Sequence, residues 1–468
     1  MKLTNMEERI HILHGQSTTW SVIKDIVSSN NQEDAFYVCD VGDIIRKHKI
    51  WKAMLPRVEP FYAVKCNDNL VVLEVLNALG TGFDCASKAE INKVMGLGVS
   101  SDRIIFANPA KPASHLRHAA EMGVGLMTFD SDTELHKIKK LYPDARLVIR
   151  IRSDAVDVQC QLGNKFGCDA NLEAPSLLAL AAHLDLEVVG VSFHVGSGCR
   201  EPAAFNRAIR AAKGVFEQAQ RLGYNLSLLD IGGGYPGGKA ESIQQMAEEI
   251  NCALDEYFPE TNIRIIAEPG RFFVGSAYTL TCNIYSIRNV VQTDSEGNIV
   301  DTHRMYYIND GVYGSFNCIL YDHQVVEPKP LEQAPDAVYR PSSVWGPTCD
   351  GLDQVVDNVM LPEMKVGDWL VFEDMGAYTL PVASPFNGFP VPKVQLMFDE
   401  DVWSFLKDVL NLTEDHFEML KVPSDLHLTK EVDSGFQLPD FPIKMEIPCR
   451  NGNSVKQHIL DYVNVAAE

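Results

Sequence analysis

The order of residues predicts an α/β protein: a closed (β/α)₈ barrel followed by an antiparallel β-barrel or sandwich domain. Three observations carry that expectation. Short apolar runs rich in β-branched residues alternate with helical patterns, eight times from Phe61 to Gly270. Each run ends in a chemically capable residue. After Gly270 the alternation stops, and β-rich stretches with Gly and Asp turns take over.

The runs are "FYAVK", "GFDCAS", "IIFANP", "LMTFDS", "RLVIRI", "GVSFHVG", "LLDIGGG" and "RIIAEPG". Between most of them lie patterns such as "NLVVLEVLNALG", "KAEINKVMGLG" and "AFNRAIRAAKGVFEQAQRLG", apolar at helical spacing and stopped by Gly. Strands alternating with helices make parallel βαβ units, and eight such units suit a closed barrel, with an open doubly wound sheet as the alternative. Residues 35–273 are therefore assigned to the barrel and 274–400 to the β domain that carries Cys349 and Asp350. The segment 1–34, followed by the strand-then-helix pattern "DAFYVCDVGDIIRKHKIW", is expected to pack on that β domain. "DSEGN" reads as a hairpin turn, and 401–468 has no assignable pattern beyond a helical "DVWSFLKDVLNL".

Composition excludes several classes. A net charge of −22 argues against a nucleic-acid binder and suits a small cationic ligand, though it also serves solubility. Eleven cysteines without a CxxC pair fit neither a disulfide framework nor a zinc ribbon, so no metal is expected and a reducing, cytoplasmic setting is. The N-terminus has no signal-peptide core, and no stretch approaches a membrane span.

The run ends supply Lys65, Asp84, Asn108, Asp130, Arg150, His194, the Gly232–Gly234 cluster and Glu268. The C-terminal ends of barrel strands converge on one mouth, where active sites lie. Lys65 is either a snorkelling lysine or one that bonds an aldehyde cofactor. "DIGGGYPGG" is either a tight turn or a cradle for one phosphate, and it matches no nucleotide fingerprint. Glu268 and Arg271 of "EPGRFF" could pair structurally, or hold a ring nitrogen and a phosphate. His194 could be a core histidine or a flat ring stacked on a cofactor. Pyridoxal 5'-phosphate asks for all of these at once: a lysine for its aldehyde, a carboxylate for its ring nitrogen, donors for one phosphate and a flat neighbour.

"FYAVKCN", "GFDCASKAE", "SFHVGSGC", "DIGGGYPG", "IIAEPGRFF", "YYINDGVYGSFNCILYDH", "WGPTCDGLD" and "MGAYTLPVASPFNGF" closely resemble the ornithine decarboxylase family of fold-type III pyridoxal-phosphate enzymes. The resemblance runs from about Asp34 to Pro392 and departs from vertebrate members at Ala110 and Pro385. It implies that Lys65 carries the cofactor's aldehyde carbon, with Asp84 and Arg150 behind it. His194 would stack on the ring, and Glu268 would pair with the ring nitrogen. Ser197, Gly233, Gly234, Gly270, Arg271 and Tyr378 would enclose the phosphate. Tyr321, Asp322 and Asp350 would receive the distal ammonium of ornithine, and Phe386 would line the pocket. The implied reaction is decarboxylation to putrescine in a homodimer whose partner subunit supplies Cys349 and Asp350. Lys65, His194 and Cys349 are its implied catalytic residues, and Asp130 with Lys165 an ion pair between subunits. Antizyme is a further implied partner, through a basic surface of Lys111, Arg117, Lys137, Lys139 and Lys140.

A thiol with a pKa of about 8.5 is mostly protonated at neutral pH and can donate a proton to Cα. Paired carboxylates select a second ammonium, because an apolar substrate would leave them unpaired. Two alternatives stay open: a decarboxylase acting on lysine or another amino acid, and a non-catalytic relative of the antizyme-inhibitor kind. Against the latter, Asp84, Arg150, the glycines of "HVGSGC" and Cys349, which are altered in such proteins, are intact.

Overall fold

The structure, a computed structural model, describes residues 9–13, 18–29, 32–239, 241–293, 295–296, 299–406 and 418–421. The strands β1 (Arg9–Leu13) and β2 (Phe36–Asp40) come first. All eight apolar runs then form strands: β3 (Val58–Ala63), β4 (Gly82–Cys85), β5 (Ile104–Phe106), β6 (Leu126–Phe129), β7 (Arg146–Ile151), and, after a short β8 (Val158–Cys160), β9 (Glu187–Phe193). A short β10 (Ser197–Cys199) precedes β11 (Leu228–Asp230) and β12 (Arg264–Ala267). The parallel ring closes where β12 pairs with β3, Ile265 opposite Val58, which decides against the open sheet.

Local chemistry sets the helix ends. The helix Lys88–Gly96 starts where Ser87 accepts from the Glu90 N–H and the Glu90 carboxylate accepts from the Ala86 N–H at 2.7 Å. It stops before Gly98, whose φ of +80° only glycine adopts without strain.

The period of two along each strand organises the barrel interior. Phe61, Ile105, Leu126, Val148, Leu228 and Ile266 fill its lower layer. Two residues further along β6, β7 and β11, on the same face, stand Thr128, Arg150 and Asp230, and Glu268 follows Ile266 just past β12. A dry layer of packed side chains thus underlies a polar rim.

The second unit comprises β13 (Tyr278–Thr293), β14 (Ile299–Ile308), β15 (Lys329–Pro330), β16 (Tyr339–Trp345), β17 (Gln354–Pro362), β18 (Trp369–Phe372), β19 (Lys393–Asp399) and β20 (Glu418–Lys421). They run in the order β17-β16-β14-β13-β2-β19-β1-β20, with β18 and β15 branching from β13. β13 and β14 pair antiparallel, Thr293 opposite Ile299, while Asp294, Gly297 and Asn298 of "DSEGN" lie outside the described residues. The expectation of an antiparallel domain needs correction, however: β14–β16, β2–β19, β1–β19 and β1–β20 are parallel. These partners are joined by long excursions rather than tight turns, so nothing imposes a hairpin on them.

The boundary at residue 35 also moves. Phe36–Asp40 pairs with β13 and β19, so the strand belongs to the β domain, and the barrel side begins with the helix Val41–Met54. Beyond the helix Glu400–Leu406 and β20, the unassigned tail lies outside the described residues.

One expectation for a charged residue changes. Lys111 is not a surface cation: it is 1% exposed, donates to the carbonyls of Asn108 and Thr128, and pairs with Glu134 at 3.0 Å. Burial pulls its pKa down to about 8, against the pull of Glu134. Asp130 accepts from the Gly167 N–H of its own chain at 2.8 Å, while Lys165 is exposed with its ammonium 5.1 Å from the Phe166 ring centroid.

Asp310 anchors the turn that leads to Tyr313, accepting from the N–H groups of Gly311 and Ser315. Burial pushes its carboxyl up to about 6. Because the folded state holds this proton more tightly, its stabilising contribution is complete below pH ~4 and is lost as pH rises through 6. Asp310→Asn should therefore flatten the pH dependence of unfolding by about 2 kcal/mol between pH 4 and 7, checked by denaturant titration at each pH.

Candidate active site

The strand β3 ends at Ala63, and one 3₁₀ turn, Val64–Cys66, puts Lys65 on the barrel rim. Its ammonium is paired with Oδ2 of Asp84, at the end of β4. Asp84 is fully buried, whereas 38% of the Lys65 side chain stays accessible, so a ligand can reach the amine. Burial works against the charge on Lys65, but Asp84, Tyr378 and Glu268 more than offset it and hold the ammonium above its ordinary value.

Across the rim, Glu268 and Asp230 are both buried. Burial, reinforced by Asp230 and Asp84, raises Glu268 well above the carboxylate range, while burial brings Asp230 to about 7. Each carboxyl therefore holds its proton more tightly than a free one does. Oε1 of Glu268 and Oδ2 of Asp230 have no other partner.

His194 follows β9. Its Nδ1 accepts from the Gly196 N–H at 3.0 Å, which leaves the ring proton on Nε2. Burial, with Arg150 and Lys65 nearby, holds it well below its ordinary pKa, so the ring is flat and neutral. Arg150 is itself buried, with its guanidinium 5.3 Å from the Phe166 ring centroid.

The glycine run lies against this histidine. A Cβ on Gly233 would stand 2.8 Å from both His194 Nε2 and the Glu268 carbonyl, and one on Gly234 2.5 Å from Val195. Only bare backbone fits, and it leaves a cradle. Beside it, Arg271 donates to Ser197 Oγ at 3.1 Å and lies 5.3 Å from the ring centroid of Tyr378. The β domain is latched to the rim here: the Tyr378 N–H donates to the Cys66 carbonyl at 2.9 Å, and Asn67 donates to the Gly376 carbonyl at 2.9 Å. A Cβ on Gly270 would stand 2.8 Å from Cys66.

These residues fit the expected cofactor. The lysine is reachable, a buried carboxyl pair has unpartnered oxygens, and the buried Nε of Arg271 is also without a partner beside the glycine cradle. Next to His194 a cavity of about 340 Å³, lined by Arg152, Gln161 and Asn164, leads outward and is large enough for a small amino acid.

The rim group gathers Lys65, Asp84, Arg150, His194, Ser197, Gly233, Gly234, Glu268, Gly270, Arg271 and Tyr378. Asp322 joins it: its Oδ2 is paired with Arg271 at 2.5 Å. Asn108 and Asp130 do not, since their side chains bond to loop backbone. Among the described residues, the hydrogen bonds of Cys349 and Asp350 run to Asn387, Thr348, Leu352, Asp353 and Tyr313, all in the β domain. Cys349 is exposed, as are Tyr321 at 70% and Phe386 at 42%, with Phe386 stacked on Tyr313 at 4.4 Å. Four expected site residues therefore lie open on this chain's surface or beside it.

Sequence reasoning missed Asp230, Gln159 and Tyr313. Asp230 was legible from strand parity, two residues after the inward-facing Leu228. The other two meet their partners only across distant segments.

Comparison with known proteins agrees with this geometry. Residues 41–275 match the family described as pyridoxal-dependent decarboxylase, pyridoxal binding domain. Ornithine decarboxylase of Mus musculus is 50% identical over 394 residues, covering 82% of this chain and 85% of its own. Antizyme inhibitor 2 of Xenopus laevis is 48% identical over 385 residues, covering 81% and 84%. Among solved structures, the arginine decarboxylase of Paramecium bursaria Chlorella virus bound to agmatine superposes with a TM-score of 0.76 at 39% identity, over 81% of this chain and 100% of its own.

Proposed function

The chain belongs to the pyridoxal-dependent decarboxylases, and from that premise we propose that it converts L-ornithine to putrescine and carbon dioxide in sites shared by two copies of itself. Pyridoxal phosphate is the cofactor; when bound, it draws the electrons of the bond to the leaving carboxylate into its ring. The observation that carries the substrate reading is Asp322, a buried carboxylate among the phosphate-side residues, where it can meet a distal ammonium.

Each residue then has a physical task. Lys65 presents its amine to the aldehyde, with Asp84 as the buried carboxylate paired to it. Glu268 would pair with the ring nitrogen as its counter-charge, with Asp230 buried beside it. His194, neutral and immobilised by Gly196, packs the ring face. Ser197, Gly233, Gly234, Gly270, Arg271 and Tyr378 enclose the phosphate. Cys349 returns a proton to Cα, and Asp350 shares the ammonium with Asp322. Tyr321 and Phe386 close the pocket.

The exposure of Cys349, Leu352, Phe386 and Phe389 supports the shared site, because a second copy would cover apolar surface that a monomer leaves wet. With Lys111 buried, the basic face that remains for antizyme is Arg117, Lys137, Lys139 and Lys140.

The likeness to an antizyme inhibitor favours a second reading, a chain that binds partners without catalysis. Purified protein loaded with pyridoxal phosphate and given ornithine, lysine, arginine and leucine in turn separates the readings. Putrescine should dominate, with kcat/KM for ornithine about tenfold or more above that for lysine, the worth of one methylene. Agmatine or cadaverine as the main product would overturn the substrate; absence of cofactor absorbance would overturn the enzyme.

A further inference from the structure

Asp322 is not a free carboxylate. Its Oδ2 accepts from Arg271 at 2.5 Å and from Gln159 Nε2 at 3.0 Å, and Gln159 Nε2 also donates to the Asp322 main-chain carbonyl at 2.6 Å. Its Oδ1 meets only the Cys160 thiol, a weak donor, at 3.5 Å among the described residues. Gln159 and Cys160 both belong to β8, which pairs antiparallel with β10 so that Cys160 stands opposite Ser197. Gly198, at φ +58°, lets the Gln159 amide lie against the backbone: a Cβ there would stand 2.7 Å from Gln159 Oε1.

We propose that Gln159 is a positioning residue that fixes which oxygen of Asp322 receives the distal ammonium, and so sets the substrate chain length. This rests on the functional reading above. With Oδ2 saturated by Arg271 and Gln159, the ammonium is received at Oδ1, where it displaces only the thiol contact. Gln159 grips both main chain and side chain of Asp322, which stops the carboxylate from pivoting about its contact with Arg271. The same β8–β10 ladder ties that grip to Ser197, so the distance from phosphate to ammonium acceptor is set by one small rigid element. Lengthening the substrate by one methylene then misplaces its ammonium. Without the amide, the carboxylate swings and the site accepts either length.

The test uses Gln159→Met, which keeps the side chain's bulk and deletes its donor, with Gln159→Ala beside it. Protein loaded with pyridoxal phosphate is titrated calorimetrically with 1,4-diaminobutane and 1,5-diaminopentane, and kcat and KM are measured for the five- and six-carbon diamino acids. Both variants should bind 1,4-diaminobutane roughly tenfold more weakly, with the preference over 1,5-diaminopentane lost, KM raised in step and kcat little changed. If the Met variant keeps wild-type affinity and preference, Gln159 acts by packing and the inference fails. If wild-type protein itself binds neither diamine, the functional reading fails and takes the inference with it.

Discussion

A Lys65→Ala chain mixed with a Cys349→Ala chain should recover about a quarter of wild-type activity, although each variant alone falls by roughly 10²-fold or more. Lys65 stands on the barrel rim in contact with Asp84, while Cys349 is exposed on the β domain and bonds to Asn387. If one site takes its lysine from one copy and its thiol from the other, a mixed dimer holds one doubly damaged site and one intact site. Random pairing makes half of the dimers mixed, which leaves about one site in four whole. The measurement is specific activity after the two variants are mixed and allowed to exchange subunits. No recovery, with mixed dimers demonstrated by tagged-chain capture, would place both residues in one subunit and refute the shared site.

Glu268→Ala should lower kcat by roughly 10²–10³-fold while KM for ornithine stays within a few-fold. On the proposed reading the carboxyl pairs with the ring nitrogen, and Arg271, Ser197 and the glycine cradle that would hold the phosphate are untouched by its loss. Its removal also strips Asp230 of its buried neighbour. The cofactor would then bind, but the charge that keeps its ring protonated would be missing. Steady-state kinetics with an absorbance titration of pyridoxal phosphate checks both halves. A variant that loses the cofactor but turns over normally at saturating cofactor would show that Glu268 serves binding alone.

Much of the barrel was legible beforehand because its signals are local. A strand declares itself by a short β-branched run, a helix by apolar residues at three and four, and its end by Gly98 or Gly80. Parity carried the rim as well: once Val148 and Ile266 face inward, Arg150 and Glu268 must follow them two residues on. The β domain was less legible. Which strands pair, and whether in parallel, depends on segments such as Phe36–Asp40 and Lys393–Asp399, which the whole barrel separates.

By itself the sequence determined the eight βα units, the convergence of Lys65, Asp84, His194 and Glu268 on one mouth, and the chemistry those types permit. Ring closure, the burial of Lys111 with Glu134, and the clamp of Arg271 and Gln159 on Asp322 were decided only by the tertiary structure. The physical reason is range. Backbone periodicity is written within a few residues, whereas a contact such as Gln159 to Asp322 spans 163 positions and exists only after loop closure has brought two separately folded elements together.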